Sequence, residues 1–493
     1  MRYLSLLPFL LAVLGFDLSA VAADRLNVLF IAVDDLRPEF GAYGKSYIHS
    51  PNLDRLARRG ITFERAYCQQ AVCSPSRSSL LTGTRPDTTK VWDLQTHFRK
   101  ALPDVVTLPQ HFKEQGYHVQ GMGKLFHGGY DDPPSWSVPW TAPEGGHGAY
   151  ALPENQAIVA AKIAALKAAG QAKKGKGPAR AYGPPIESAD VPDNTFHDGK
   201  LAEMAVAALG ECARRDQPFW LGVGFIRPHL PFVAPKKYWD LYDPAKIELA
   251  SNPMPPRGAP PFAVLPGGEL RTYHNVPAGP IPDDLARQLK HGYYAAISYM
   301  DALLGRVLDE LDRLGLADKT VVVLWGDHGW KLGEHGGWCK HSTVENDTNA
   351  PLLIAVPGLK SAGQKTTALA EFVDVYPTLA EVCGLPLPEH LEGTSLAPVL
   401  RDPTKQVKTA AFSQYPRPAE GRQLMGYSMR TDRYRLTRWV RRDEPTKVEA
   451  VELYDHQTDP GENVNIAGQP ELATVLAELT TKWQAGWRGA KAN

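Results

Sequence analysis

Cysteine is scarce in this chain, which has five among its 493 residues. They are Cys68, Cys73, Cys212, Cys339 and Cys383, and they lack the dense spacing of a domain held together by disulfides. Cys68 and Cys73 do not form a CxxC pair, and neither has a histidine at zinc-finger spacing, so we expect no structural zinc. Because disulfides use cysteines in pairs, an odd number leaves at least one cysteine unpaired in an exported protein, and its presence requires a chemical explanation.

Net charge and long apolar segments are also missing. The 54 Lys and Arg residues balance 54 Asp and Glu residues, so no global basic field favours nucleic acid or an anionic membrane. Beyond the N-terminal region, no segment approaches the roughly 20 apolar residues that a membrane-spanning helix requires. We therefore expect neither a nucleic-acid partner nor a transmembrane segment. The length is sufficient for one large core or two unequal ones.

Residues 1–23 have the composition of a signal peptide. Arg2 supplies a positive charge, an apolar run covers residues 4–16, and small residues at 20–23 form a cleavage site. We therefore predict that this segment is removed and that the mature protein is secreted, periplasmic or lumenal. A lipid-anchored or surface-held form is one alternative, and a buried N-terminal strand or helix is another.

Four continuous apolar runs predict strands that are buried on both faces, as in a parallel sheet covered by helices. They cover residues 26–33, 218–225, 320–325 and 351–356. Helical stretches lie between them at residues 52–59, 198–213 and 282–314. This alternation predicts an α/β sandwich with a large, mostly parallel central sheet flanked by helices. Active sites of such sheets lie at the carboxyl ends of the strands.

The pattern changes from about residue 386. Alternating apolar and polar residues predict antiparallel strands at 425–430, 434–440 and 448–454. A closing helix is predicted at residues 471–487. We therefore predict a catalytic domain over residues 24–385 and a smaller C-terminal α+β subdomain over residues 386–493. Residues 251–282 are rich in proline and are predicted to form a loop.

The segment CSPSRSSLLTG at residues 73–83 combines a cysteine with the start of a helix. Ser74 and Pro75 suit the first turn of a helix. Residue 73 then lies at the helix N-terminus, where free N–H groups and the helix dipole favour an anion. Arg77 follows one turn later on the same face. The segment predicts an anion site around a reactive side chain, and the alternatives are a cysteine of lowered pKa or one that is simply buried.

This segment resembles the signature of the sulfatase family, in which the cysteine of C-x-P-x-R is oxidised to formylglycine during maturation. The resemblance extends over essentially the whole mature chain. It includes VDDLRP at 33–38, QQAVC at 69–73, GKLFH at 123–127, PHLPF at 228–232, DHGWKLGEHG at 327–336 and SQYPRP at 413–418. It implies an alkaline-phosphatase-like sandwich, hydrolysis of sulfate esters, and a maturation enzyme that converts Cys73 to formylglycine.

Two polar pairs follow predicted strands, Asp34-Asp35 after residues 26–33 and Asp327-His328 after residues 320–325. Both pairs can reach the carboxyl edge of the sheet. Three carboxylates and an oxygen from residue 73 form a hard site, suited to calcium or magnesium rather than zinc. The resemblance assigns Asp34, Asp35, Cys73, Asp327 and His328 to the metal and implies one calcium ion per chain, with magnesium as the alternative. A lone Asp-Asp pair is otherwise usually a turn or helix cap.

Further catalytic residues are assigned by their match to the family's motifs. Lys124 and Lys340 match sulfate-binding lysines, which with Arg77 would offset charge in the transition state. His127 matches a histidine hydrogen-bonded to the hydrated formylglycine. His229 matches the candidate acid for the leaving alcohol. Taken singly, each such lysine or histidine is more often structural or solvated.

The resemblance also implies a mechanism. One hydroxyl of the hydrated formylglycine would attack sulfur, while Asp34 or Asp327 accepts its proton. The second hydroxyl would then allow sulfate to be expelled and the aldehyde to return. A plain serine or cysteine lacks this second hydroxyl and would stay sulfated.

The predicted substrate is a sulfated carbohydrate, most specifically a 2-O-sulfated uronic acid residue of a glycosaminoglycan-type glycan attacked from the chain end. Another sulfated polysaccharide and a small sulfate ester are the alternatives. A phosphomonoesterase or phosphodiesterase of the related fold would instead use a Ser or Thr nucleophile and two zinc ions. A non-catalytic polysaccharide-binding relative would lack at least one of Cys73, Arg77, Asp34 or Lys340, and all four are present.

Overall fold

The computed structural model describes residues 25–146, 149–170, 181–265 and 267–492. The predicted signal peptide at residues 1–23 lies outside the described residues. The strands are β1 (Asn27–Val33), β2 (Ile61–Phe63), β3 (Ala66–Tyr67), β4 (His118–Gly123), β5 (Ile186–Ala189), β6 (Phe219–Phe225), β7 (Phe232–Pro235), β8 (Thr320–Gly326), β9 (Leu352–Ala355), β10 (Lys365–Thr366), β11 (Ala370–Glu371), β12 (Ala411–Ala419), β13 (Arg422–Arg430), β14 (Tyr434–Arg441) and β15 (Val448–Asp455). The α-helices are α1 (Pro51–Arg59), α2 (Cys73–Thr82), α3 (Pro86–Thr89), α4 (Leu108–Glu114), α5 (Pro153–Ala168), α6 (His197–Cys212), α7 (Lys236–Trp239), α8 (Asp283–Arg313), α9 (Glu345–Thr348), α10 (Val375–Val382), α11 (Ala397–Arg401) and α12 (Ala473–Ala485).

The central sheet has seven strands in the order β10-β2-β9-β8-β1-β6-β4. Strands β8, β1, β6 and β4 are parallel, whereas β9 is antiparallel to both β8 and β2. The sheet is therefore mostly parallel, as predicted. All four predicted apolar runs form strands of this sheet, and the run at 351–356 is the one that runs in the opposite direction.

The sheet is covered on both faces because its central strand is apolar on both sides. Leu29, Ile31 and Val33 of β1 belong to the hydrophobic cluster that includes α6 and α8. Val28, Phe30 and Ala32 alternate with them and belong to the cluster that includes α2 and α10. This two-residue alternation places a hydrophobic core on each side of β1, as in a sandwich.

A second, antiparallel sheet of four strands, β12-β13-β14-β15, forms the C-terminal part. Its apolar face packs against α12 through residues such as Leu436, Leu453 and Leu479. The predicted C-terminal strands and helix are present, and β12 is an additional strand. The proposed boundary between residues 385 and 386 stays a prediction. Across the described ranges, no helix combines the length and the apolarity needed to cross a bilayer.

Candidate active site

Four neighbouring parallel strands end at the same edge of the sheet, and each is followed by a candidate site residue. Val33 at the end of β1 pairs with Phe225 of β6 and Gly326 of β8, and β4 ends beside β6. These residues are Asp34 and Asp35 after β1, Lys124 after β4, His229 four residues after the end of β6, and Asp327 and His328 after β8. The predicted convergence at the carboxyl edge is present in the structure.

Asp35 is held in a backbone conformation that places its carboxylate at this edge. Its φ is 59°, in the left-handed region that few non-glycine residues adopt. Its N–H donates to Oδ1 of Asp327 at 3.0 Å, and its carbonyl accepts a hydrogen bond from the Tyr293 hydroxyl at 2.8 Å. The ends of β1 and β8 are thereby tied together, and α8 supplies the supporting tyrosine.

Cys73 is the first residue of α2, whose ten residues are all buried. Its Sγ lies 3.4 Å from Nε2 of His328. Burial, together with the nearby Asp34 carboxylate, raises the pKa of the Cys73 thiol well above its ordinary value. This direction argues against the alternative of a cysteine of lowered pKa. All five cysteines lie within the described residues, and each is a free, buried thiol.

Arg77 is buried and contacts one carboxylate from each of the two polar pairs. Its Nε donates to Oδ2 of Asp327 at 2.8 Å and its Nη2 to Oδ1 of Asp34 at 3.4 Å. Its Nη1 donates to the carbonyl oxygens of Lys124 and Leu125. Because these contacts are with protein atoms, they give Arg77 a role in fixing the carboxylates. Direct contact of Arg77 with sulfate stays a prediction.

Two buried lysines accompany the carboxylates. Nζ of Lys124 donates to Oδ2 of Asp34, and Nζ of Lys340 donates to both carboxylate oxygens of Asp35 at 2.9 and 3.0 Å. Burial alone would lower the pKa of Lys340, but Asp35 and Glu269 raise it well above its ordinary value. Both lysines therefore lie against the carboxylates at this edge, and their contact with sulfate stays a prediction.

The two candidate histidines differ in their surroundings. Nδ1 of His229 lies 2.6 Å from the carbonyl oxygen of Leu230. Its Nε2 lies 3.3 Å from Oε1 of Glu269. Burial and the charge of Lys340 lower the pKa of His229. His127 is half-buried, and its ring stacks on Tyr130 with 6.4 Å between the centroids. The predicted hydrogen bond between His127 and residue 73 stays a prediction.

The donor set suits a metal ion once residue 73 offers oxygen. Ligand atoms of Asp34, Asp35, Cys73 and His328 all lie within 4.8 Å of one another, and the four residues are buried. Asp327 lies beside them, with Oδ1 3.6 Å from Nε2 of His328. With a thiol the set is mixed, whereas an oxygen at residue 73 would make it the hard, oxygen-rich set that calcium and magnesium prefer.

Glu269 is a site residue that the sequence analysis missed. It lies in residues 251–282, which were predicted only as a proline-rich loop, and is part of a short 3₁₀ helix, Gly268–Thr272. Its Oε2 accepts a hydrogen bond from Nζ of Lys340 at 2.9 Å. The only local signal is a glycine pair before an acidic residue, which is common in surface turns.

Comparison with known proteins supports the resemblance to the sulfatase family. Residues 26–385 match the family model described as Sulfatase, and residues 333–486 match N-sulphoglucosamine sulphohydrolase, C-terminal. The chain is 36% identical to iduronate 2-sulfatase of Mus musculus over 536 residues, which cover 93% of this chain and 94% of that protein. It is also 36% identical to iduronate 2-sulfatase of Homo sapiens, covering 90% of this chain and 91% of that protein.

Solved structures show the same fold. A protein solved in complex with its substrate D-glucosamine-2-N,6-O-disulfate has a TM-score of 0.74 and 22% identity, over 94% of this chain and 98% of that one. The fold is an alkaline-phosphatase-like sandwich. The chain belongs to the sulfatase family and is a sulfuric ester hydrolase.

Proposed function

We propose that this sulfatase is exported and removes the 2-O-sulfate from uronic acid residues at the ends of glycosaminoglycan-type glycans. The observation that carries the proposal is the 36% identity to iduronate 2-sulfatase across nine-tenths of both chains. Export would follow removal of residues 1–23, and a formylglycine-generating enzyme or its equivalent would act on Cys73. The calcium ion, the modified Cys73 and the roles of individual residues are part of the same proposal.

Asp34, Asp35, Asp327 and His328, with residue 73, would hold one calcium ion. When bound, this ion would supply Lewis-acid stabilisation of the sulfate oxygens. The four carboxylates of Asp34, Asp35, Asp327 and Glu269 surround three buried cations, Arg77, Lys124 and Lys340, so their formal charges sum to one negative charge. A divalent ion would therefore leave the site positive, which favours an anionic ester.

The buried groups are arranged to act without large rearrangement. Lys124 and Lys340 are fixed by Asp34 and Asp35, so their ammonium groups can meet sulfate oxygens from preset positions. Such preorganised charges act strongly where water is excluded. The N-terminus of α2 adds the partial positive charge of the helix dipole at residue 73. Formylglycine at this position would supply the hydrated nucleophile.

His229 would donate a proton to the leaving alcohol. Its Nδ1 faces a carbonyl oxygen, which can only accept a hydrogen bond, so Nδ1 carries hydrogen. Nε2 is then the ring nitrogen that takes up the second hydrogen when His229 is charged, and this is the hydrogen that it would deliver to the alcohol. It lies 3.7 Å from Oδ2 of Asp35, at the edge of the proposed metal site. This arrangement supports the assignment of His229 as the general acid.

The substrate is tested with a panel of defined sulfated oligosaccharides. It includes 2-O-sulfated uronate at the chain end, the same residue inside a chain, N- and 6-O-sulfated glucosamine, and a small aryl sulfate. We expect the fastest sulfate release from the terminal 2-O-sulfated uronate, with Cys73→Ala enzyme as the blank. Release only from another position or only from the aryl sulfate would contradict the substrate while leaving the sulfatase assignment intact.

A further inference from the structure

Glu269 contacts two proposed catalytic residues at once. Its Oε2 accepts a hydrogen bond from Nζ of Lys340 at 2.9 Å, and its Oε1 lies 3.3 Å from Nε2 of His229. The side chain of Glu269 is 20% exposed, compared with 3% for Lys340 and 11% for His229. The Glu269 carboxylate therefore links Lys340 and His229, and it is the most exposed of the three side chains.

The orientation of the His229 ring is fixed from both sides. Nδ1 donates to the carbonyl oxygen of Leu230 at 2.6 Å. The opposite edge of the ring, Nε2, faces Oε1 of Glu269. When Nε2 carries a hydrogen, Oε1 of Glu269 can accept it. Because both ring nitrogens have a partner, the ring is held in one orientation and its Nε2–H points in one direction.

The backbone around Glu269 is shaped to bring this carboxylate in. The N–H of Gly267 donates to the carbonyl oxygen of Gly336 at 3.2 Å, which joins the loop to the segment before Lys340. Gly268 has a φ of 67°, and a Cβ at that position would lie 1.9 Å from Sγ of Cys339. The close approach requires glycine, and it places Glu269 directly beside the Lys340 segment.

We propose that Glu269 is a positioning residue for release of the alcohol: it keeps the Nε2 edge of His229 at the rim of the site, whereas Lys340 is also held by both carboxylate oxygens of Asp35. The inference rests on the proposed function of His229 as the acid. In that step the bond between sulfur and the ester oxygen breaks, and its electron pair stays on the oxygen. Sulfur forms its new bond to the oxygen of the hydrated residue 73, and the ester oxygen takes the proton from Nε2 of the charged His229 ring. This gives a neutral alcohol and leaves a neutral ring with hydrogen on Nδ1, and water later returns a proton to Nε2.

The test compares two esters that differ in their need for an acid. A nitrophenyl sulfate releases a stabilised phenolate, whereas a sugar sulfate releases an alkoxide that requires a proton. Glu269→Gln keeps the size of the side chain and removes its charge. We expect kcat/KM to fall about 100-fold for the sugar sulfate and less than about 5-fold for the nitrophenyl sulfate. Glu269→Asp, which restores a carboxylate, should recover part of the loss.

A matched control is Glu471→Gln. Glu471 also lies in the first turn of a short 3₁₀ helix, Pro470–Leu472, but is exposed. It should leave both activities unchanged. Thermal unfolding of each variant shows that the protein used in the assays is folded.

His229→Ala separates failure of the inference from failure of its premise. If this variant slows the sugar sulfate far more than the nitrophenyl sulfate, the acid assignment holds, and adding Glu269→Gln should change the rate less than about 3-fold. Equal effects of Glu269→Gln on both esters, with His229→Ala still discriminating between them, would overturn the inference alone. Equal effects of His229→Ala on both esters would overturn the acid assignment and the inference with it, while sulfatase activity stands.

Discussion

Two clusters of buried charges in this protein have similar composition and different organisation. The catalytic-edge cluster consists of Asp34, Asp35, Arg77, Lys124, Asp327 and Lys340. The junction cluster consists of Glu345, Arg430, Arg435, His456 and Glu462, and it joins α9 to the C-terminal sheet. Each cluster contains acidic groups that approach a histidine closely enough to share a metal ion.

In the junction cluster an arginine lies between the acids. Nε of Arg435 is 2.6 Å from Oε1 of Glu462, and its Nη2 contacts Oε2 of Glu345. His456 also contacts Glu462, at 2.8 Å. The carboxylates are therefore satisfied by protein cations, and the cluster is a structural connection between α9 and the C-terminal sheet.

At the catalytic edge the carboxylates contact cations and still lie close to one another around residue 73. Arg77 contacts Asp34 and Asp327, yet oxygens of Asp34 and Asp35 still approach Sγ of Cys73 and a ring nitrogen of His328. The comparison shows that buried charge by itself does not mark a functional site. What distinguishes the catalytic edge is a cysteine at a helix N-terminus whose Sγ lies within 4.8 Å of ligand atoms of Asp34, Asp35 and His328.

The largest expected effect is that of Cys73→Ala. Removing the nucleophile should lower turnover about 10⁵-fold or more, because the remaining groups can bind sulfate but cannot attack it. The folded state should be retained, since the side chain removed is small. The measurement is sulfate release together with thermal unfolding, and substantial turnover by this variant would place the nucleophile elsewhere.

Removal of metal should abolish activity while leaving the junction cluster intact. Chelation takes away the ion that the catalytic-edge carboxylates would share, and calcium or magnesium should restore turnover. Bound calcium at 100 times its Kd should also stabilise the fold by about 2.7 kcal/mol. Restoration by zinc alone, with two ions per chain, would favour a phosphatase-like site instead.

Lys340→Ala should lower turnover about 100- to 1000-fold, because a charge-assisted contact with the sulfate is lost in a water-poor site. The factor should be similar for a small aryl sulfate and for the glycan, since both carry the same sulfate group. Kinetics on the two substrates check this. A variant with near-normal turnover on both would show that Lys340 does not contact the sulfate.

Arg435→Met should affect stability rather than chemistry. It leaves the buried Glu462 and the partly buried Glu345 without their main cation, which costs about 3–5 kcal/mol. Denaturant unfolding measures the loss, and kcat at low temperature should stay near that of the unmodified protein. A large loss of kcat with unchanged stability would show that the junction cluster is coupled to catalysis.

The smallest expected effect is a dependence of stability on pH. Although burial alone would raise it, Arg435 and His456 lower the pKa of Glu462 below its ordinary value of 4.5. A carboxyl group whose pKa is lowered in the folded state stabilises the fold at pH values above its ordinary pKa. This stability is lost as the pH falls below 4.5. Unfolding measured across this range should show less slope in Glu462→Gln, and an unchanged slope would contradict the assignment.

Much of this organisation could be predicted from the sequence because it depends on local pattern. Continuous apolar runs located four of the seven strands of the central sheet, and the polar pairs that follow two of them located Asp34 and Asp327. Strands β2, β4 and β10 were not predicted. The direction of β9 could not be predicted, because an apolar run is the same in parallel and antiparallel strands. β12 was missed because Pro416 and Pro418 interrupt the strand pattern, which is tolerated at the edge of a sheet.

The position of Glu269 depends on contacts between distant segments. Its loop is attached to the Lys340 segment through Gly267 and Gly336, which lie far apart in the chain. Gly336 ends the motif at 327–336, but neither that motif nor the sequence around Gly267 indicates the pairing. The left-handed conformation of Asp35 was equally hidden, since Tyr293 on α8 and Asp327 after β8 stabilise it.

The most direct test of the account is mass spectrometry of the peptide that contains residue 73, taken from enzyme of known specific activity. The account predicts that an aldehyde replaces the Cys73 thiol and that the modified fraction rises in proportion to activity across preparations. Fully active enzyme with an unmodified thiol at residue 73 would contradict it.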